Sequence, residues 1–309
     1  MGSLWTKPWK FGVGFLIGGG QLLLGLLLQA TLGPVPWALL ARPINLILLA
    51  GFLALLGIMY ALRHKVYLFT WMMHLQAAVP ALCYALGLTI LMGLVAQREE
   101  GGGIPWLSKM LDFWPFVLAY TWMMLILGLT SLNRLLHFKL KEIPFLLNHV
   151  GLFLALVCGT LGAADTQRVH MTTREGETQW LAEDEAGNVQ ELDIAIELHD
   201  FIMEEFPMQP GAKMRVPKRF ASEVTVHSKA GKDIQAVIEV NKPLKVEGWK
   251  IYQYDYDSEA GVESQISIFE MVRDPWQPFV LTGILMMLAG ALCLFLVMAP
   301  KTGKKEEQS

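Results

Sequence analysis

Six stretches of this 309-residue chain are long and apolar enough to cross a lipid bilayer, and no other feature constrains the fold as strongly. A spanning helix needs roughly 20 mostly apolar residues, because its backbone polar groups must be satisfied without water. The runs are about Phe11–Leu32, Pro43–Leu62, Tyr67–Ala96, Trp114–Leu135, Pro144–Ala164 and Pro275–Ala299. The third is long enough to tilt or to project from the bilayer. Pro80 is expected to kink it, since proline removes a backbone donor. The first run follows Lys7 and Lys10, like the charged start of a signal peptide. Its length and the lack of an A-x-A cleavage site favour a retained helix.

Charged residues make up 17% of the chain and, apart from Arg134 near the end of the fourth run, are segregated outside these runs. The expected fold class is therefore a polytopic α-helical membrane protein, with six transmembrane helices and one extracytoplasmic β-rich domain. The small net charge of −3 argues against nucleic acid as a partner. Cys83, Cys158 and Cys293 all lie in apolar runs, so no disulfide framework is expected in the polar segment. No CxxC, CxxCH, HExxH, P-loop or GxGxxG pattern occurs.

Orientation follows from Lys and Arg in the short connections, which favour the cytoplasmic side. Lys7 and Lys10, Arg63 and Lys65, Arg134, Lys139 and Lys141, and Lys301, Lys304 and Lys305 fall on one side if six helices alternate. The other side receives Arg42, the mixed loop Gln97–Phe113 (Arg98 and Lys109 against Glu99, Glu100 and Asp112) and the polar segment. Both termini are thus expected in the cytoplasm, with residues 165–274 outside, which in a bacterial cell means the inner (cytoplasmic) membrane. The tail Lys301–Ser309 reads as a solvated stop-transfer end. The organisation expected is two N-terminal helices in 1–66, a three-helix membrane core in 67–164, the outer domain in 165–274, and a final helix and tail in 275–309.

The outer segment alternates apolar and polar residues. Leu192–His199, Ser222–Val226, Asp233–Val240, Trp249–Tyr256 and Gln265–Phe269 read as strands. Gly187-Asn188, Pro207–Gly211, Lys229–Lys232, Asn241–Pro243, Glu247-Gly248 and Ser258–Gly261 supply turn chemistry. A small antiparallel sandwich or barrel-like domain is expected.

Two of the seven histidines, His74 and His149, lie in apolar runs, one to two turns from the basic end. An ionisable side chain in a spanning segment is costly enough to suggest function. A neutral imidazole needs partners for one donor and one acceptor, and another helix, a metal or a haem iron could serve. Asn148 beside His149 could join a purely structural network. Phe145 and Phe153, one turn to either side, would suit a flat macrocycle or a neighbouring helix equally well. His64 and His137 read as interfacial, and His199 and His227 as residues at strand edges or turns. His170 follows the fifth run. Gly151, Gly159, Gly162, Ala163 and Ala164 give that run a small-residue surface for close helix approach. Trp71, Trp114, Trp122 and Trp276 are expected mostly in an interfacial aromatic belt. Arg168, Arg174, Glu175 and Glu177 read as a charged patch just outside the membrane, a solvated juncture or a site for an anionic cofactor edge.

Two stretches carry a family resemblance. One is LNHVGLFLALVCGTLGAADTQRVHMTTREGE, Leu147 to Glu177. The other is VNKPLKVEGWKIYQYDYDSEAGVESQISIFEMVRDPWQPFVLTGILMMLAG, Val240 to Gly290. Both resemble the ResB (CcsB) family of cytochrome c biogenesis proteins, the System II membrane component that handles haem. Leu147 to Glu177 is similar to that family's His-bearing third helix with its following Arg-Glu-Gly element. Val240 to Gly290 is similar to the end of its outer domain, where an Asn-x-Pro-Leu turn, a Gly-aromatic strand and a Tyr-Gln pair lead to Arg-Asp-Pro and the last helix. The resemblance covers about Tyr67–Met298 and leaves the first two helices outside the family pattern. It implies a subunit that binds haem b transiently and without covalent attachment, and that acts with a CcsA-type membrane partner. Together they would export haem for attachment to the CxxCH motif of apocytochrome c. The implied ligand is His149, with a second axial ligand from the partner; His74 is a minor candidate, and Arg174 could meet an anionic edge. This chain has no tryptophan-rich outer motif of the CcsA type, so the resemblance implies a non-catalytic subunit of a haem lyase complex. A membrane b-type cytochrome using His74 and His149, and a non-catalytic sensor or scaffold, are the alternatives.

Overall fold

The computed structural model describes residues 5–97, 106–207, 216–229 and 231–298. Arg98, Glu99 and Glu100 of the mixed-charge loop, turn residues 208–211, Ala230, and tail residues Lys301, Lys304 and Lys305 lie outside the described residues. The chain divides into two units, Met1–Ala164 with Trp276–Ser309, and Asp165–Pro275.

The first unit is a helical bundle of α1 (Phe11–Leu32), α2 (Ile44–Ala61), α3 (Tyr67–Met72), α4 (Leu75–Leu94), α5 (Trp114–Leu136), α6 (Ile143–Gly162) and α7 (Gln277–Met298). Six of these, all but α3, are long and apolar enough to span a membrane. The bundle is organised on α5, whose apolar window is 56% buried against 11% for α7. Helix α5 packs on α1, α4, α6 and α2, while α7 packs on α6.

Helix α1 approaches through glycine. A Cβ on Gly14 would lie 2.8 Å from the Gln76 carbonyl oxygen, and one on Gly25 would lie 2.6 Å from the Pro115 backbone nitrogen. The Gln76 carbonyl is the one that Pro80 deprives of its helical donor, so α1 meets α4 where the proline frees an acceptor. On the same stripe, the buried Gln29 accepts a hydrogen bond from the Trp114 amide at 3.1 Å. The first amides of α5 have no intrahelical acceptor, and α1 supplies one. The first two helices are therefore integral to the bundle.

The third apolar run is broken at His74. His74 is extended (φ −113°, ψ 159°) and separates α3 from α4, with its carbonyl starting the new helix. Pro80 lies inside α4. His74 is thus an exposed residue at a helix junction, not one within a continuous helix. Three of the tryptophans assigned to an aromatic belt are core residues: Trp71, Trp122 and Trp276 are all at least 95% buried.

The second unit is one antiparallel sheet of eight strands, β1 (Gln167–Arg174), β2 (Thr178–Asp184), β3 (Val189–Glu205), β4 (Pro217–Ser228), β5 (Asp233–Glu239), β6 (Leu244–Val246), β7 (Trp249–Tyr256) and β8 (Ile266–Arg273). Their spatial order is β5-β4-β3-β2-β1-β8-β7-β6. The sheet rolls so that its end strands, β5 and β6, come together around one apolar core. Alternation builds that core: Ile194, Ile196 and Leu198 on β3, Val224 and Val226 on β4, Trp249 and Ile251 on β7, and Phe269 and Met271 on β8 are buried. Glu247 and Gly248, both at positive φ, make the two-residue turn between β6 and β7. Strand β7 has the span expected from sequence, whereas β1, β2 and β6 are additional. Strands β1 and β8 pair from Gln167↔Arg273 to Arg174↔Ile266, so the chain enters and leaves on paired neighbours. In sequence the unit lies between α6 and α7.

Candidate functional site

His149 stands in the second turn of α6, about 9 Å from the helix start at 1.5 Å per residue. Its Nδ1–H donates to the Phe145 carbonyl oxygen at 3.0 Å. A carbonyl can only accept, so the neutral imidazole carries its proton on Nδ1 and its lone pair on Nε2. Nε2 has no hydrogen-bond partner among the described residues, and the side chain is half-buried. The ring stacks on that of Phe145, with centroids 3.6 Å apart and planes at 18°. A backbone acceptor on one nitrogen and a stacked ring on one face fix the imidazole and present Nε2 as a donor of electrons, which is how ligating histidines are usually held.

The faces of α6 are divided. Gly151 and Gly162 meet α7, where added Cβ atoms would lie 2.6 Å from the Gly283 carbonyl oxygen and 2.4 Å from Trp276. Asn148 turns to the same side: its Nδ2 donates to the Pro144 carbonyl at 2.8 Å and its side chain packs on Gly290. Asn148 thus serves the α6–α7 contact and forms no network with His149. Phe153 stacks on Phe52 of α2 at 6.1 Å and touches Gly128 of α5, so it does not share the surroundings of Phe145.

Contacts within the bundle locate the basic residues. Lys7 lies over Tyr67, and Trp9 and Trp71 are joined by a hydrogen bond. Thr70 donates to the Arg63 carbonyl, Tyr60 to Asn133, and Arg134 to Glu142. Lys7, Arg63 and Arg134 therefore share one end of the bundle, and His149 lies near it. Gly33, Arg42, Trp114 and Trp276 mark the other end, where Trp114 Nε1 donates to Gly33 and Asn45 Nδ2 to Leu161. His74 stands at the α3–α4 junction and His149 within α6; α4 packs on α1 and α5, and α6 on α7, α5 and α2, so α5 is the neighbour they share.

In the β unit the charged patch expected at the juncture is dispersed. Arg168 and Arg174 stand at opposite ends of β1, roughly 20 Å apart at the rise of a strand. Arg168 pairs with Glu270 at 2.9 Å, Glu175 accepts from the Phe201 amide, and Arg174 is exposed. His170 is in β1, with its ring 4.6 Å from that of Tyr254. His199 is in the middle of β3 rather than at an edge or turn, whereas His227 is the penultimate residue of β4, as expected of a strand end. His227 donates from Nδ1 to Asp233 (2.8 Å) and from Nε2 to Glu197 (3.1 Å). The Asp233 bond first, and the Glu197 bond second, hold its pKa above the ordinary imidazole value. Among the described residues, no group of three or more His, Cys, Asp or Glu could hold a metal ion.

A model of the ResB-like family matches residues 139–268, a span that includes His149 and most of the β unit. No curated protein matches the chain. Among solved structures, a chain titled "Cytochrome c Heme Lyase CcmF" is similar with 12% identity and a TM-score of 0.33. The similarity covers 81% of this chain and 45% of that one, so this chain spans less than half of that protein's length.

Proposed function

We propose that this chain, matched by the ResB-like family across residues 139–268, serves cytochrome c biogenesis as a haem-holding membrane subunit. The observation that carries the reading is His149: within the matched residues, its Nε2 is left without a hydrogen-bond partner among the described residues while Phe145 fixes the ring. Imidazole is an ordinary axial ligand of haem iron and holds it without covalent attachment. In this reading His149 binds haem b on the cytoplasmic side, because the basic end of the bundle faces the cytoplasm under the distribution of Lys and Arg. A CcsA-type partner would complete the hold on the haem and would receive it for attachment to apocytochrome c outside. Bound haem supplies the group that is attached to the apocytochrome cysteines. The chain's own residues bind and orient it, which makes this a non-catalytic subunit of a haem lyase in the inner membrane, with the β unit outside.

The test is co-expression of the full chain with a CcsA-type partner, purification, and absorbance spectroscopy. The wild-type complex is expected to carry haem, and His149→Ala to lower the haem content or shift the axial-ligand bands. A variant complex with wild-type haem content and an unchanged spectrum overturns the ligand assignment. The single-chain alternative, with both His74 and His149 on one iron, requires equal loss of a haem spectrum from this chain alone in His74→Ala and His149→Ala. The placement of His74 at the exposed α3–α4 junction, not within a spanning helix, does not favour it.

A further inference from the structure

Arg134 is a cation at the rim of the His149 site. It stands in the last turn of α5, with its guanidinium carbon 5.1 Å from the centroid of the Phe145 ring on which His149 stacks. Nη1 donates to Glu142 Oε2 at 2.9 Å. The Glu142 side chain is 15% exposed and that of Arg134 is 47% exposed, so the ion pair fixes the guanidinium without covering it. Further N–H donors remain on the exposed side of the fork. Arg63, at the same end, is engaged differently: its Nη1 donates to the Tyr60 carbonyl at 2.8 Å and its guanidinium lies 3.9 Å over the Tyr60 ring.

The imidazole and the guanidinium both stand against the Phe145 ring, so a ligand held by Nε2 would have a fixed guanidinium one ring away. A planar fork of that kind matches a carboxylate with two parallel hydrogen bonds. The surface therefore suits a molecule with a flat apolar body and an acidic edge. We infer that Arg134 is the carboxylate-holding residue of the His149 site, and that the site selects iron porphyrins with free carboxylates, seated with the acidic edge toward the basic end of the bundle. Glu142 holds the guanidinium in place before the ligand arrives. The inference rests on the reading of His149 as the axial ligand.

The experiment titrates the purified full chain in detergent with ferric haem b and, separately, with its dimethyl ester, following the Soret band. Wild type is expected to prefer the free acid by about tenfold or more, as a charge-assisted pair gives. Arg134→Gln should abolish that preference and leave the imidazole-ligated spectrum of both porphyrins in place. Arg134→Lys, which keeps the charge but not the fork, should retain part of it. If Arg134→Gln weakens both porphyrins equally, or leaves the preference intact, the inference is wrong while the role of His149 stands. If wild type binds neither porphyrin, or His149→Ala leaves both spectra unchanged, the reading of His149 fails and the inference falls with it.

Discussion

The helical bundle and the β unit reach a packed interior by opposite routes. In the sheet, large apolar side chains point inward and charges outward, and Phe269, Ile251 and Met271 are fully buried. In the bundle, many large apolar side chains point outward even though Trp71, Trp122 and Leu129 are buried: Leu288, Leu292 and Phe295 of α7 are more than half exposed, and Leu23 and Leu27 of α1 likewise. What the bundle buries is partly polar or small, including Gln29, Asn45 and the glycines of α1, α6 and α7. A lipid-facing surface gives apolar residues no reason to choose the interior, so close backbone approach and polar contacts organise the helices instead. The difference teaches that side-chain volume should be tested in opposite senses in the two units.

The largest effect is expected from truncation in the sheet. Phe269→Ala empties the centre of the β core and should cost about 3–5 kcal/mol of unfolding free energy, read as loss of the cooperative transition of the full chain in detergent. The same kind of truncation on the bundle, Leu288→Ala, removes an outward side chain and should change little. Enlargement reverses the ranking. A Cβ on Gly283 would lie 2.5 Å from the Gly151 carbonyl oxygen and 2.8 Å from the Ala155 amide nitrogen, both of them backbone atoms that cannot rotate away. Gly283→Leu must separate α6 from α7 and should cost about 3 kcal/mol, the upper part of the overpacking range. A melting transition unchanged by Gly283→Leu would break the comparison.

The same difference decides what is legible in the sequence. Period-2 alternation in Trp249–Tyr256 marks β7 correctly, because one face of that strand meets the core and the other does not. Strand β1 escapes such a reading because QRVHMTTR has few β-branched apolar residues and relies on its partners β2 and β8 for burial. Apolar length identifies the spanning helices, but an all-round apolar sequence cannot say which face is inside. Burial of Trp122 and the cap from Gln29 to α5 are therefore invisible. The break at His74 carries no local signal, whereas Pro80, the obvious breaker, is accommodated inside α4. At the candidate site, His149 stands out because an imidazole is anomalous in an apolar run. Its stacking on Phe145 is half-legible, from the four-residue spacing. Arg134 is not legible as a neighbour, because it lies on α5 and reaches Phe145 only through tertiary packing.

Polar burial offers a finer comparison between the units. In the sheet, Gln253 Oε1 accepts from Ser222 Oγ at 2.6 Å and from Ser267 Oγ at 3.0 Å, while its Nε2 donates to the Asp255 carbonyl. These side chains join β4, β7 and β8 within the rolled sheet and are almost wholly buried. Gln253→Leu keeps most of the volume but strips an acceptor from two buried hydroxyls. The expected cost is about 2 kcal/mol by chemical denaturation. Gln29→Leu in the bundle removes the acceptor of the Trp114 amide and should cost less, about 1 kcal/mol, as loss of a helix cap does. Equal losses at the two sites would remove the distinction between a polar network and a single cap.

The smallest effect is expected on the outer face of the sheet, where His227 bridges Asp233 of β5 and Glu197 of β3. His199 also faces Glu197, with its Nδ1 3.9 Å from Oε1. Both ring nitrogens of His227 meet carboxylates, so the folded protein favours the imidazolium and raises its pKa above that of the unfolded chain. The stabilisation is fully present below the unfolded value, about 6.5, and is lost as pH rises through the raised folded value. The pair is about a third exposed, so its contribution should stay below about 1 kcal/mol. Melting curves of wild type and His227→Gln should therefore differ most below the unfolded value and converge once pH has risen past the raised folded value. No comparable dependence is expected from Gln29→Leu, since neither the amide side chain nor the backbone N–H that it caps titrates. A His227→Gln difference that grows with rising pH would reverse the sign and rule out the charged bridge.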